Sequence, residues 1–193
     1  MTINKILLAG VGGQGTILAA KILSNGLLDA GYNVKMSEIH GMSQRGGSVT
    51  SHIVYSKGEV YAPVIDKGEA DILVAFEEME ANRWIEYLKI GGKVVINDYQ
   101  IMSIPILVGA FEYPVGVKEY IKENVEDCII YNASEIAKEL GNEKVMNMVL
   151  LGSLIKAMYL EHIDWEKVIR DNVKAQFADI NIKALYKGME SVL

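Results

Sequence analysis

The chain opens on a short apolar run, KILLAG, that ends at a glycine, as a buried parallel strand does. A glycine-rich turn follows, GVGGQG over Gly10–Gly15. Then comes TILAAKILSNGLLDAG, where Ile17, Ala20, Leu23 (or Ser24), Leu27 and Leu28 recur at helical spacing and Gly31 supplies a stop. NVKMSE predicts the second strand of a βαβ beginning. SVTSHIVYSKGEVYAP alternates around a glycine turn and predicts a hairpin-like excursion from Ser48 to Ala62. ADILVAF and KVVIND read as two further buried strands, with EEMEANRWIEYLKIGG between them as a helix ending at glycine. CIIYNA reads as another strand, and Ser134 is a candidate N-cap for the short helix after it.

From Glu143 onward the period is helical in three segments: EKVMNMVLLGSLIKAMYL, DWEKVIRDNVKAQF and NIKALYKGMESVL. The first is apolar nearly all round, through Met146, Met148, Val149, Leu150, Leu151, Leu154, Ile155 and Met158. Such a helix is buried on most sides, within the domain or against another subunit. The pattern predicts an α/β fold: a three-layer, Rossmann-like, mostly parallel sheet with a hairpin excursion and a helical C-terminal part. At 193 residues the expectation is one domain over 1–193.

Half of the residues are hydrophobic, which excludes a disordered chain. The longest nearly uncharged apolar run, Val145–Ile155, falls well short of the roughly 20 residues of a spanning helix. The start, MTINKILLAG, lacks a signal-peptide pattern. The expectation is a soluble, cytoplasmic protein with no membrane contact. Cys128 is the only cysteine, so the chain forms no internal disulfide and holds no iron–sulfur cluster, which takes about four thiolates. His40, His52 and His162 show no metal-ligand spacing. Redox or metal chemistry must therefore come from elsewhere.

The net charge is -6, yet the first 58 residues hold five basic and two acidic side chains. That excess is too small for a nucleic-acid footprint, and no basic stripe with interleaved aromatics exists. It suits a small anionic ligand near the N-terminal third, although ordinary surface variation gives the same balance.

Gly10, Gly12 and Gly15 fit G-x-G-x-x-G between a strand and a helix. Residues without Cβ let N–H groups approach a phosphate, and the helix N-terminus adds about half a positive charge. Gly13 opens the turn further, Gln14 offers an amide donor, and Thr16 a hydroxyl. A tight strand–helix junction that holds no ligand uses the same residues. Dinucleotide binding asks for an acidic residue about 20 positions on. Glu38 is suitably placed, but it leads into EIHGMSQRGGSVTSH, a loop that such binding does not need. There Arg45 carries a permanent charge and a fork of donors suited to carboxylate or phosphate. Gly46 and Gly47 let the backbone turn sharply behind it, and Ser43 and Gln44 add neutral donors. Arg45 paired with Glu38 or with a partner's carboxylate is the structural alternative. Neither His40 nor His52 has an assigned proton to move.

GVGGQGTILAAKIL and SEIHGMSQRGGSVTSHI together resemble the gamma-type domain of the 2-oxoacid:ferredoxin oxidoreductases. The form HGMSQRGGSV is similar to the beta subunit of the indolepyruvate branch. GEADILVAFEEMEANR, GGKVVIND and the helical C-terminus extend the resemblance over the whole chain. It implies a subunit that is not catalytic alone. In that branch a partner alpha subunit carries thiamine diphosphate and iron–sulfur clusters. The complex oxidatively decarboxylates aryl pyruvates with coenzyme A to acyl-CoA, with ferredoxin as acceptor. This chain has no G-D-G motif for the thiamine-diphosphate magnesium site. On this reading Gly10, Gly12, Gly13, Gln14, Gly15, Thr16, Ser43, Gln44, Arg45, Gly46 and Gly47 form one anion-binding edge for coenzyme A. In a lesser version Arg45 faces the 2-oxoacid carboxylate or the thiamine site across the interface. The helix around Leu150 and the loop around Arg45 are the expected docking elements. Three other readings stay open: the gamma subunit of another such oxidoreductase, a free-standing Rossmann-like nucleotide-binding protein, and an interaction subunit with an empty turn.

Overall fold

A computed structural model describes residues 2–41 and 46–192. Its elements run β1 (Asn4–Val11), α1 (Thr16–Asp29), β2 (Asn33–His40), β3 (Ser48–Ser56), β4 (Ala70–Ala75), α2 (Glu78–Trp84) and β5 (Leu88–Asn97). They continue with α3 (Ile104–Leu107), α4 (Val117–Asn124), β6 (Asp127–Tyr131), α5 (Ala133–Glu139), α6 (Met146–Ala157), α7 (Trp165–Asn172) and α8 (Ala175–Glu190).

One sheet has the order β2-β3-β1-β4-β5-β6. The β1–β4, β4–β5 and β5–β6 pairs are parallel, while β3 runs antiparallel to both β1 and β2. Five strands therefore share a direction, and β3 alone opposes them. Side chains alternate across the sheet with the period of two that a pleat imposes. Ile6, Leu8, Ile72, Val74 and Val95 join the core beneath α1, α6 and α8. Leu7, Ala9, Leu73, Val94 and Ile96 face the other way, toward Ala81 of α2 and Val117 and Ile121 of α4. These are the three layers the pattern predicts.

The hairpin lies earlier than the alternation places it. Its arms are β2 and β3, paired from Asn33↔Ser56 to His40↔Val49, and the strand ends at Ser56. β1 already occupies the other edge of β3, from Asn4↔Tyr55 to Val11↔Ser48, so the chain after Lys57 has no free edge to pair with. It leaves the sheet and drops Val60 and Ile65 onto the α2/α4 face instead.

Four smaller readings move with packing. On α1 the buried set is Ala19, Ala20, Ile22, Leu23, Ser24, Gly26 and Leu27, while Ile17 and Leu28 are about half exposed. A Cβ on Gly26 would lie 2.3 Å from the Trp165 ring, so small residues, not the largest apolar ones, mark the close contact. α2 stops at Trp84 and passes through a 3-10 turn, and Gly91 (φ +74°) and Gly92 fall inside β5 near a register shift. Asn132, not Ser134, caps α5 by accepting from the Glu135 N–H at 2.9 Å, and Ser134 Oγ accepts from Asn97 Nδ2 at 3.0 Å. The break between the last two helices falls at Val173–Lys174, ahead of Phe177. Cys128 is half-buried on edge strand β6, and burial pushes its thiol up.

α6 answers its own question. Eleven of its twelve residues are buried, against the sheet on one side and α8 on the other. Leu150 is therefore core, not a docking surface.

Candidate functional site

Parallel strands end together, so the chain segments leaving β1, β4, β5 and β6 converge at the carboxyl edge of the sheet. The glycine turn lies there. Gly13 (φ +104°) and Gly15 (φ +82°) take left-handed backbone that side chains with a Cβ rarely adopt, and this swings the chain from β1 into α1. The Gly12 N–H donates to the Gly47 carbonyl at 2.9 Å, which ties the turn to the base of the second glycine loop. Gly46, at φ +80°, sits just beyond. The turn and the described end of the loop thus meet at one edge. Ser43, Gln44 and Arg45 lie outside the described residues.

Three of the turn's candidates have internal work. Gln14 Oε1 accepts from the Val11 N–H at 2.8 Å, and Gln14 Nε2 donates to the Phe76 carbonyl at 2.8 Å. Its amide therefore locks the turn onto the end of β4 instead of facing a ligand. Gly10 lets Phe76 and Thr16 close in, since its Cβ would meet both at 2.9 Å. Thr16 itself is buried. The N–H groups of Gly13, Gly15, Thr16, Ile17 and Leu18 have no hydrogen-bond partner among the described residues, as the first turn of a helix dictates.

Two cavities flank the turn. A cleft of about 710 Å³ opens between Gly13, Gly15 and Leu18, the Tyr99–Ile101 segment after β5, and Ser134, Lys138, Lys144 and Asn147. Asn147 is 3% exposed; its Nδ2 donates to the Gly15 carbonyl at 3.2 Å and its Oδ1 has no partner among the described residues. A smaller cavity of about 450 Å³ lies on the other side, against Thr16, Ile17, His40 and Val49.

Strand β3 separates Glu38 from the turn. With β3 between β1 and β2, the second strand stands two spacings, roughly 10 Å, from β1. Glu38 faces His40, Oε2 to Nε2 at 3.4 Å. The adjacent-strand geometry that a ribose-binding acid requires is absent from this pair. His52 is packed inside the sheet: Nδ1 accepts from the Ile65 N–H at 3.1 Å, which leaves the proton on Nε2, and burial lowers its pKa.

Sequence reasoning missed a buried acidic cluster at the start of α2. Glu77 caps the helix and is fully buried. Its carboxylate accepts from the Glu80 N–H at 3.0 Å, the Ile101 N–H at 3.1 Å and the Tyr113 hydroxyl. Burial and that carboxylate hold the Tyr113 hydroxyl far above its usual range. Glu80, also buried, accepts from Ser48 Oγ at 2.5 Å, Arg83 Nε at 3.1 Å and Trp84 Nε1 at 3.2 Å. The signal was the run FEEME directly after a strand, since acids collect at helix starts. Its burial was not readable. Glu77→Ala leaves buried donors unmatched and is expected to cost about 2–4 kcal/mol in denaturant unfolding. Glu77→Gln, which keeps an acceptor, is expected to lose less.

The family model of pyruvate ferredoxin/flavodoxin oxidoreductase matches residues 5–191. The chain belongs to this family. Within the oxidoreductase family it is 37% identical to indolepyruvate oxidoreductase subunit IorB of Pyrococcus horikoshii, over 96% of this chain and 94% of that protein. It is 36% identical to the subunit of the same name from Thermococcus kodakarensis, with the same coverage. Among solved structures, the gamma subunit of a keto/oxoacid ferredoxin oxidoreductase from Geobacter sulfurreducens superposes with a TM-score of 0.73 at 26% identity, covering 99% and 97% of the two chains. The fold also recurs, at TM-score 0.73 and 22% identity, in 2-oxoglutarate:ferredoxin oxidoreductase from Magnetococcus marinus with 2-oxoglutarate, coenzyme A and succinyl-CoA bound. There it spans 31% of that chain. The chain is a small, IorB-like subunit of a 2-oxoacid:ferredoxin oxidoreductase, which implies other subunits. Among the described residues, no helix is long and apolar enough to cross a membrane.

Proposed function

We propose that this subunit supplies a coenzyme A-contacting edge to an indolepyruvate-type oxidoreductase, while a large alpha subunit holds thiamine diphosphate and the iron–sulfur clusters. The complex converts an aryl pyruvate and coenzyme A to an acyl-CoA and CO2 and passes the electrons to ferredoxin. The observation that carries the reading is the Gly12–Gly47 hydrogen bond, which joins the glycine turn to the Arg45 loop. The amides of Gly13, Gly15 and the first turn of α1, unpaired among the described residues, are suited to phosphate; Lys138 and Lys144 line the cleft together with Glu135 and Glu143. A cleft of about 710 Å³ is of cofactor size. The coenzyme A and succinyl-CoA bound in the Magnetococcus marinus enzyme support the coenzyme A part of this reading.

The chain's own residues do not suit the redox groups. Cys128 is the lone thiol of the sequence, with its pKa raised by burial, where a cluster takes about four thiolates. Electron chemistry is thus assigned to the partner. The displacement of Glu38 by a whole strand weighs against the dinucleotide alternative.

Calorimetry and turnover test the assignment together. The co-expressed complex is expected to bind coenzyme A and to oxidise aryl pyruvates, and this chain alone with thiamine diphosphate to do no turnover. Turnover by the isolated chain, or tight NADH or FAD binding with no response to coenzyme A, would overturn it.

A further inference from the structure

We propose that the segment after β5, residues 99–116, is the surface on which the large subunit of the same oxidoreductase docks. The inference rests on the division of labour above and names the face that serves it. Of these eighteen residues only Glu112 is charged. Ile104, Leu107, Val108, Phe111 and Val115 are exposed at 73%, 69%, 72%, 70% and 95%. Single exposed apolar side chains are ordinary, but five within one short excursion mark an interaction face.

The excursion is held at both ends, so its outward apolar side is built. Glu78 N–H donates to the Tyr99 carbonyl at 3.0 Å, and Ile101 N–H donates to Glu77 Oε1 at 3.1 Å. At the other end the Tyr113 hydroxyl accepts from the Met79 N–H at 2.9 Å and donates to Glu77. One fully buried carboxylate thus pins the start and the finish. Between them Ala110 N–H closes back on the Pro105 carbonyl at 2.9 Å after Gly109 at φ +76°.

Two observations identify the occupant. Ile101, Ile106 and the edge of the exposed Phe111 line a cavity of about 310 Å³ with Gly46, Ser48, Glu80 and Arg83. The apolar face is therefore continuous with the edge that the reading above gives to the shared active site. In the Magnetococcus marinus protein the same fold is 31% of one longer chain. The IorB relatives, covered to 94% of their length, are named as subunits, so their contact with the rest of the oxidoreductase runs through a surface. Interfaces of this kind have an apolar core of large side chains with a polar rim.

The test pairs Leu107→Asp/Val108→Asp with Ile90→Asp. Ile90 is fully exposed at the amino end of β5, away from the excursion. Affinity for the large subunit is measured by interferometry, and folding by circular dichroism melting. The double variant is expected to melt like the wild type and to bind at least about 100-fold more weakly, and Ile90→Asp to bind within about 3-fold. Undiminished binding by the double variant overturns the inference while leaving the functional reading intact. So does a wild-type homodimer that the double variant breaks without loss of the heteromer. Failure of the wild type to bind the large subunit overturns the functional reading, and the inference with it. If the double variant unfolds, hydrogen exchange on the wild type decides: protection of 101–112 on adding the large subunit supports the inference, and none overturns it.

Discussion

Gly188→Ala is expected to unfold or severely destabilise the protein, and Gly152→Ala to do nearly the same. An ideal Cβ on Gly188 lies 1.8 Å from the Val149 carbonyl oxygen, and one on Gly152 lies 1.9 Å from that of Leu185. Real Cβ atoms essentially never come closer than 3.0 Å, and neither obstacle is a side chain that can swing away. The backbones of α6 and α8 would have to part by more than an ångström along a fully buried contact. That movement also breaks the bond from Ser153 Oγ to the Gly188 carbonyl at 2.8 Å, on which the Tyr131 hydroxyl leans at 2.6 Å. Overpacked cores lose about 1–3 kcal/mol and sometimes more, and a rigid backbone obstacle belongs at the upper end. Alanine's better helix propensity returns only about 1 kcal/mol. The net expectation is a loss of about 2 kcal/mol or more, or a melting point lowered by roughly 5 °C or more. Thermal and urea unfolding measure it. A loss under about 1 kcal/mol would mean that the helices do not cross this closely.

Arg45→Ala in the assembled enzyme is expected to raise the KM for coenzyme A by roughly 10–100-fold, with kcat changing less. A charge-assisted contact to phosphate contributes about 1.5–3 kcal/mol, and its loss acts on binding. Arg45→Lys is expected to recover only part, since an ammonium keeps the charge but not the fork of donors. Steady-state kinetics with each substrate varied separates the readings of the loop. A KM effect confined to the 2-oxoacid would place the guanidinium at the substrate carboxylate. Unchanged kinetics would make the loop a positioning device and leave the coenzyme A edge without its cation.

The backbone geometry of the glycine turn was readable as sequence because its signals are local. Gly13 and Gly15 stand where a strand must turn directly into a helix, and the left-handed φ at both is what that turn demands. Gln14 shows the limit. Its amide looked available because its partners, Val11 and the Phe76 carbonyl, are supplied by strand pairing and not by the turn. The Glu77 cluster hid for a related reason: an acidic helix start reads as solvated until Ile101 and Tyr113 arrive from later in the chain. The apolar excursion carried no helical or strand period of any length, so pattern alone did not mark it.

Taken alone, the order of residues determined most of the strands, the helices α1, α2 and α5–α8 in outline, the burial of α6 and the two glycine motifs. Each of these depends on neighbours within a few positions or on hydrophobic period. Only the tertiary structure decided that β3 slips between β1 and β2, that α6 packs on α8, and which turn amides have no partner among the described residues. Those outcomes turn on which edges and faces are already occupied when distant segments meet, and that competition leaves no local mark.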